Sequence, residues 1–278
     1  MKLTVLTDNN VLQGKNFLGE HGLSFYVEDE GKKILFDTGY SDIFLKNAIK
    51  MGIDLLDLDY IVLSHGHYDH SWGLVHYIEF YKSALKQGHV VKKPVILTHP
   101  ETFDSKVDEK SGEIGCLVSQ DKLEKFFEVK LSKDPFSITK NLVFLGEIPR
   151  INNFEAKEPI CRVYKNNFLQ DDYINEDSAL VYKTAESRVV VTGCSHSGIC
   201  NIIDYAKKFS GMAKIKGVIG GFHLVNCSEE RLLKTVEYFV QEGVKDIYAC
   251  HCTDFQSKIF LSKQLQLKDT GVGLTLEY

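Results

Sequence analysis

A chain of 278 residues, 44% hydrophobic and 26% charged, can bury a large core and reads as an ordinary globular protein without low-complexity tracts. Its formal net charge of -5 offers no general attraction to polyanions, which counts against nucleic acid as a partner. No apolar run is long enough to cross a bilayer, and the start "MKLTVLTDNN" lacks the apolar core and cleavage site of a signal peptide. Seven cysteines without a disulfide-scaffold spacing then suit free thiols in a reducing cytoplasm.

In chain order, "LTVLT" (Leu3 to Thr7) predicts a short strand, and "LSFYVEDEGKKILFDTG" a hairpin turning at Glu28 to Lys32. "SDIFLKNAIKMG" predicts an amphipathic helix with Ser41 as N-cap and Gly52 as its stop. The strand "YIVLS" follows, then the motif "HGHYDH", a helix from about Trp72 to Leu85, and a buried strand in "PVILTHP". From 101 to 176 the pattern loosens into a short helix in "DKLEKFFEV", a strand in "NLVFLGEI" and an acidic loop, "LQDDYINED". This stretch is too thinly apolar for an interior of its own, so it is expected as an insertion over one domain spanning 1–278. Beyond it, "ALVYKTAESRVVVTG" predicts a second hairpin turning at Thr184 to Ser187. Helix "NIIDYAKKF", strand "IKGVIGG", a helix capped by Ser228 and stopped by Gly243, strand "DIYAC", a helix near Phe255 to Leu265 and strand "VGLTLE" complete the order. Hairpins followed by strand–helix units occur twice, which predicts two sheets packed face to face with helices outside.

The chemistry concentrates at one strand end. Imidazole and carboxylate suit zinc and similar divalent metals, and His65 and His67, two apart in an extended segment, project to one side. Asp69 and His70 follow where the chain turns into a helix and can face a second ion. So many ligands would crowd one metal; two metals about 3.5–4 Å apart can share a bridging hydroxide as nucleophile. By contrast His21, His76, His89 and His99 carry no motif and are read as structural or surface residues.

"HGHYDH" resembles the HxHxDH signature of the metallo-β-lactamase superfamily, and "ILFDTG" (Ile34 to Gly39) resembles its strand ending in Asp-Thr-Gly. The resemblance implies an α+β fold, the four-layer αββα sandwich, with Asp37 supporting the metal-site loop by hydrogen bonds. It also implies further ligands from later strand ends: His196 in "VVVTGCSHSGI" and His251 in "IYACHCTD". Cys194 stands where such proteins more commonly carry aspartate; the thiol is read as filling the turn, with ligation as the alternative. Asp177 is a weaker ligand candidate, better read as a loop acid. His223 in "VIGGFHL" follows another strand and is read as a substrate residue, contacting phosphate or donating a proton, with metal ligation as the alternative. "DNN", "HGHYDHSWGL", "TGCSHSGI" and "GGFHL" together resemble the branch of 7,8-dihydropterin-6-methyl-4-(β-D-ribofuranosyl)aminobenzene 5′-phosphate synthase-like proteins, which places Asp8 and Asn9 at the site rim.

The expected function is that of a hydrolase or pterin-pathway synthase-like enzyme acting on a phosphorylated small molecule. Two divalent ions are expected, zinc first with iron or manganese as alternatives, and Asp69 and His223 carry the catalytic roles. A di-iron or iron–sulfur redox protein on the same fold is the competing reading, raised by the cysteine count although no CxxC run is present.

Overall fold

Short β-branched and aromatic runs form the strands, and the crossings between parallel strands form most of the helices. The computed structural model describes every residue except Met212 and Ala213. Strands Lys2–Thr7 (β1), Ser24–Asp29 (β2) and Lys32–Phe36 (β3) make an antiparallel meander, with Val27 opposite Ile34 in its hairpin. Helix Ile43–Met51 (α1) leads to strand Tyr60–Val62 (β4). The single turn Tyr68–Ser71 (α2) and helix Gly73–Lys86 (α3) lead to strand Val95–Thr98 (β5). β3, β4 and β5 run parallel, as strands joined by helical crossovers must.

The stretch 101–176 is divided among three sheets. Strands Lys106–Asp108 (β6), Gly112–Glu113 (β7), Cys161–Lys165 (β11) and Phe168–Asp172 (β12) form a small sheet of their own. After the turn Gln120–Leu123 (α4), strand Glu128–Leu131 (β8) adds to the edge beside β5. Strands Phe136–Ser137 (β9) and Leu142–Phe144 (β10) join the second large sheet. Phe168–Asp172 is a correction, since "LQDDYINED" was expected to be a loop. Asn166 and Asn167 take left-handed φ angles of 52° and 66°, making a tight hairpin turn, and an exposed edge strand tolerates acidic residues because it buries little.

The second large sheet is built from strands Ala179–Lys183 (β13), Arg188–Thr192 (β14), Ile215–Gly221 (β15) and Asp246–Cys250 (β16). Helices Ile199–Ser210 (α5) and Glu229–Glu242 (α6) cross between its parallel members, followed by helix Phe255–Ser262 (α7). The last strand, Thr275–Glu277 (β17), returns to pair with β1. The sheet orders are β17-β1-β2-β3-β4-β5-β8 and β16-β15-β14-β13-β10-β9.

Three apolar clusters define the four layers. Phe25, Phe36, Leu97, Phe144, Leu180 and Val191 fill the space between the two sheets. Phe44, Leu74 and Tyr77 pack α1 and α3 outside the first sheet, and Ile202, Val236 and Phe239 pack α5 and α6 outside the second. Each fully buried aromatic or aliphatic side chain there contributes about 1.5–3 kcal/mol, which fixes the facing of the sheets and brings their strand ends to a common rim. Among the described residues no helix is long and apolar enough to cross a membrane.

Candidate metal centre

The rim holds the C-terminal ends of β3, β4, β14, β15 and β16, from which all the expected ligands emerge. His65, His67, Asp69, His70, Cys194, His196 and His251 are each at most 6% exposed, though six of them are polar. Three groups of ligand atoms form, Asp69–His70–Cys194–His251, His65–Cys194–His196 and, less buried, Cys194–His223–Cys252, with all atoms in each group within 4.8 Å of one another. His67 completes the second, its Nδ1 lying 3.2 Å from His65 Nε2 and 3.1 Å from His196 Nε2. Cys194 belongs to all three groups, and its Sγ is 3.2 Å from His70 Nε2, so the thiol faces the centre.

The backbone is bent to achieve this. Asp37, Ser195, His223 and His251 take left-handed φ angles of 58°, 62°, 49° and 45° just past their strands, conformations that non-glycine residues keep only when the surroundings impose them. Gly193 is required for a different reason: a Cβ there would lie 2.2 Å from Ser64 Oγ, in the heart of the supporting network.

For His65, His70 and His251 that network fixes which nitrogen faces inward. Asp37 offers only acceptors and takes the Ser64 N–H at 2.7 Å, the Ser64 hydroxyl at 2.8 Å and His70 Nδ1–H at 2.7 Å. With its proton given to Asp37, Ser64 Oγ can only accept from His65 Nδ1–H at 2.9 Å, leaving the lone pair of His65 on Nε2. Asn9 donates its amide to the His251 carbonyl and turns its oxygen to His251 Nδ1 at 3.0 Å, so His251 also presents Nε2 inward. The inward nitrogens of His70 and His251 are 3.2 Å apart, a separation two lone pairs cannot hold without a proton or a cation between them. This is the arrangement by which carbonyl and carboxylate partners orient metal-binding imidazoles, and the donor set fits a borderline divalent cation.

Electrostatics agree. Burial, reinforced by the charge of His70, holds His65 well below the ordinary histidine range; burial and His223 do the same for His196. Burial brings His67 down to about 4 against the opposing charge of Asp69. For His70, burial is outweighed by Asp69 and Asp37, which hold it up at about 9, so a cation entering there must displace a proton. Burial would raise Asp69, but opposing effects led by the charge of His70 outweigh it and keep the carboxyl below its usual range.

The structure thus gathers His65, His67, Asp69, His70, His196 and His251 at one point. His223 lies beside them, its ring centroid 4.3 Å from that of His196, with Nδ1 buried and lacking a hydrogen-bond partner among the described residues. Asp177 is not among the ligand groups; its Oδ2 accepts from the Ser197 N–H and hydroxyl and so anchors the loop carrying His196. Asp8 is fully buried and adjoins the site, its Oδ1 accepting the His251 N–H at 2.7 Å. Sequence reasoning missed His21, which lies 3.3 Å from Asp69 Oδ2 and stacks on His251 at 5.4 Å. No motif marks it; only the fold carries its loop to the site. His99 caps a short helical turn by accepting the Glu101 N–H. Among the described residues no ligand-capable group holds more than two thiols, so the iron–sulfur reading gains no support.

Residues 19–128 match the family model of the metallo-beta-lactamase superfamily. An uncharacterized protein of Methanocaldococcus jannaschii is 35% identical over 274 residues, covering 98% of this chain and 96% of the relative. The same organism's 7,8-dihydropterin-6-methyl-4-(beta-D-ribofuranosyl)-aminobenzene-5'-phosphate synthase is 32% identical over 272 residues, covering 93% and 89%. A solved structure described as Tm1679, a metal-dependent hydrolase of the beta-lactamase superfamily, is 32% identical and superposes with a TM-score of 0.83, covering 100% of this chain and 99% of that one.

Proposed function

The chain belongs to the metallo-beta-lactamase superfamily, and from that premise we propose that it is a metal-dependent enzyme acting on a small phosphorylated molecule, with hydrolysis as its reaction. The observation that carries the reading is the convergence of imidazole nitrogens from His65, His67, His196 and His251 on two adjoining sites that share Cys194. His65, His67 and His196 would hold one divalent cation, and Asp69, His70 and His251 a second, with the Cys194 thiolate between them. Such cations, zinc being the best match to nitrogen and sulfur donors, activate water and draw charge from the substrate's oxygens.

The chain's own residues supply the rest. Asp69, held ionised beside His251 Nε2 at 3.2 Å and His21 Nε2 at 3.3 Å, orients the attacking water and accepts its hydrogen bond. His223 Nδ1, which has no hydrogen-bond partner among the described residues, would contact the substrate or protonate its leaving group. A second reading, a synthase reaction on a 5'-phosphate substrate, is favoured by the 32% identity to the synthase over nearly the whole chain.

Metal analysis of protein purified without added metal, followed by phosphomonoester, phosphodiester and lactone screens, tests the proposal. Two equivalents of zinc or manganese are expected, with turnover lost in His65→Ala and His251→Ala. Protein that holds its metals yet leaves every ester and lactone intact while acting as a synthase would refute hydrolysis.

A further inference from the structure

We propose that a cavity of about 250 Å³ adjoining the metal centre, between the loop 154–160 and the start of α6, is the seat of the substrate's phosphate group, with Arg231 and Lys157 as its cationic contacts. The inference rests on the phosphorylated-substrate reading above and locates the part of the substrate that does not react. His196 and His223 form the wall nearest the metal centre, so a group held here would be one short linkage from the reacting atoms.

Three buried nitrogens on residues lining this cavity lack hydrogen-bond partners among the described residues: His196 Nδ1, His223 Nδ1 and Arg231 Nε. His196 itself is only 4% exposed. Its Nε2 is taken up by the ligand cluster, 3.1 Å from His67 Nδ1, so Nδ1 is the ring nitrogen left to meet a group in the cavity. Buried polar atoms left unpaired are costly and rare, and several of them around one cavity point to an acceptor-rich ligand.

Charge selects an anion. Lys157 and Arg231 make no ion pair with a carboxylate among the described residues, and the only acid of the wall, Glu158, is exposed to solvent. The 14-residue helix α6 begins at Ser228, which also lines the cavity, and its first-turn N–H groups have no intrahelical acceptor. Ser228 Oγ satisfies only the Arg231 N–H, at 3.3 Å. A tetrahedral oxyanion offers Arg231 a forked acceptor, and no carboxylate among the described residues pairs with it.

Inorganic phosphate is the probe, titrated calorimetrically into zinc-loaded and chelator-stripped protein, for the wild type and for Arg231→Gln and Lys157→Ala. Phosphate is expected to bind both forms of the wild type. Arg231→Gln should weaken binding about 10- to 100-fold, the size of a lost charge-assisted contact, with metal content and melting temperature unchanged. Its KM for an ester or lactone that carries a separate, non-reacting phosphate should rise while kcat moves less. Arg231→Lys should recover part of the loss, which separates charge from helix packing. Equal phosphate affinity in wild type and Arg231→Gln overturns the subsite. A chain that binds phosphate through Arg231 but takes up no metal would refute the enzymatic reading and leave the subsite standing.

Discussion

Replacing Asp37 by asparagine isolates how the protein sets the protonation of a metal ligand. The substitution keeps size and shape, and asparagine tolerates the φ of 58° that Asp37 adopts. What changes is one acceptor into a donor. If the amide oxygen keeps the Ser64 N–H, the NH₂ stands where Oδ2 accepted from the Ser64 hydroxyl at 2.8 Å and from His70 Nδ1–H at 2.7 Å. Two N–H groups then face each other, and His70 escapes only by moving its proton to Nε2, the atom that points at His251 and Cys194. A protonated Nε2 cannot ligate. Loss of such a supporting partner costs about 10- to 100-fold in metal affinity, which is roughly 1.4–2.7 kcal/mol. Removing a buried charge-assisted hydrogen bond should cost about 1.5–3 kcal/mol of stability as well. Competition titration against a chromophoric chelator, with metal counted by elemental analysis, reads the first effect, and denaturant unfolding the second. An Asp37→Asn protein that binds two cations with wild-type affinity would show that His70 is not oriented by this carboxylate.

Three further outcomes are expected. Cobalt-loaded protein should show thiolate-to-metal charge-transfer absorption that Cys194→Ser abolishes and Cys252→Ser retains; absorption surviving in Cys194→Ser would place the sulfur ligand elsewhere. Lys106, fully buried behind the histidines, sits 2.9 Å from Glu176 Oε1 and 3.1 Å from Asp172 Oδ2, so Lys106→Met strands two buried carboxylates and should cost about 3–5 kcal/mol in urea unfolding. Burial, reduced by Lys106 and reinforced by Asp172, raises Glu176 from 4.5 to about 7. Below pH 4.5 the folded and unfolded chains are protonated alike at this group, so its stabilising contribution is whole there and is lost as pH rises through about 7. The difference in stability between wild type and Glu176→Gln should therefore change by about 3 kcal/mol across that window, at about 1.4 kcal/mol for each pH unit it spans; a pH-independent difference would refute the assignment.

Much of the site was legible because its largest part is contiguous. His65, His67, Asp69 and His70 lie within six residues after an apolar strand, and spacing alone places them together. His196 and His251 could be nominated because each follows an apolar run by a few residues, and Ser228 and Gly243 marked the bounds of α6 correctly. The strand Phe168–Asp172 was not legible: an edge strand over solvent needs no apolar alternation, and its signal was the Asn-Asn turn.

What the sequence determined by itself is the donor chemistry and the strand ends that bear it, since periodicity and residue type are local properties. Only the tertiary structure decided which donors meet. Cys194 and His70 are separated by 124 positions in the chain, and their 3.2 Å approach exists because two sheets pack face to face with their parallel strands ending on one rim. The same packing brings Asn9 to His251 and His21 to Asp69, residues without a motif between them. Local pattern fixes what a residue can do; burial between the sheets fixes whom it does it with, because only there do distant strand ends lose water and find each other as partners.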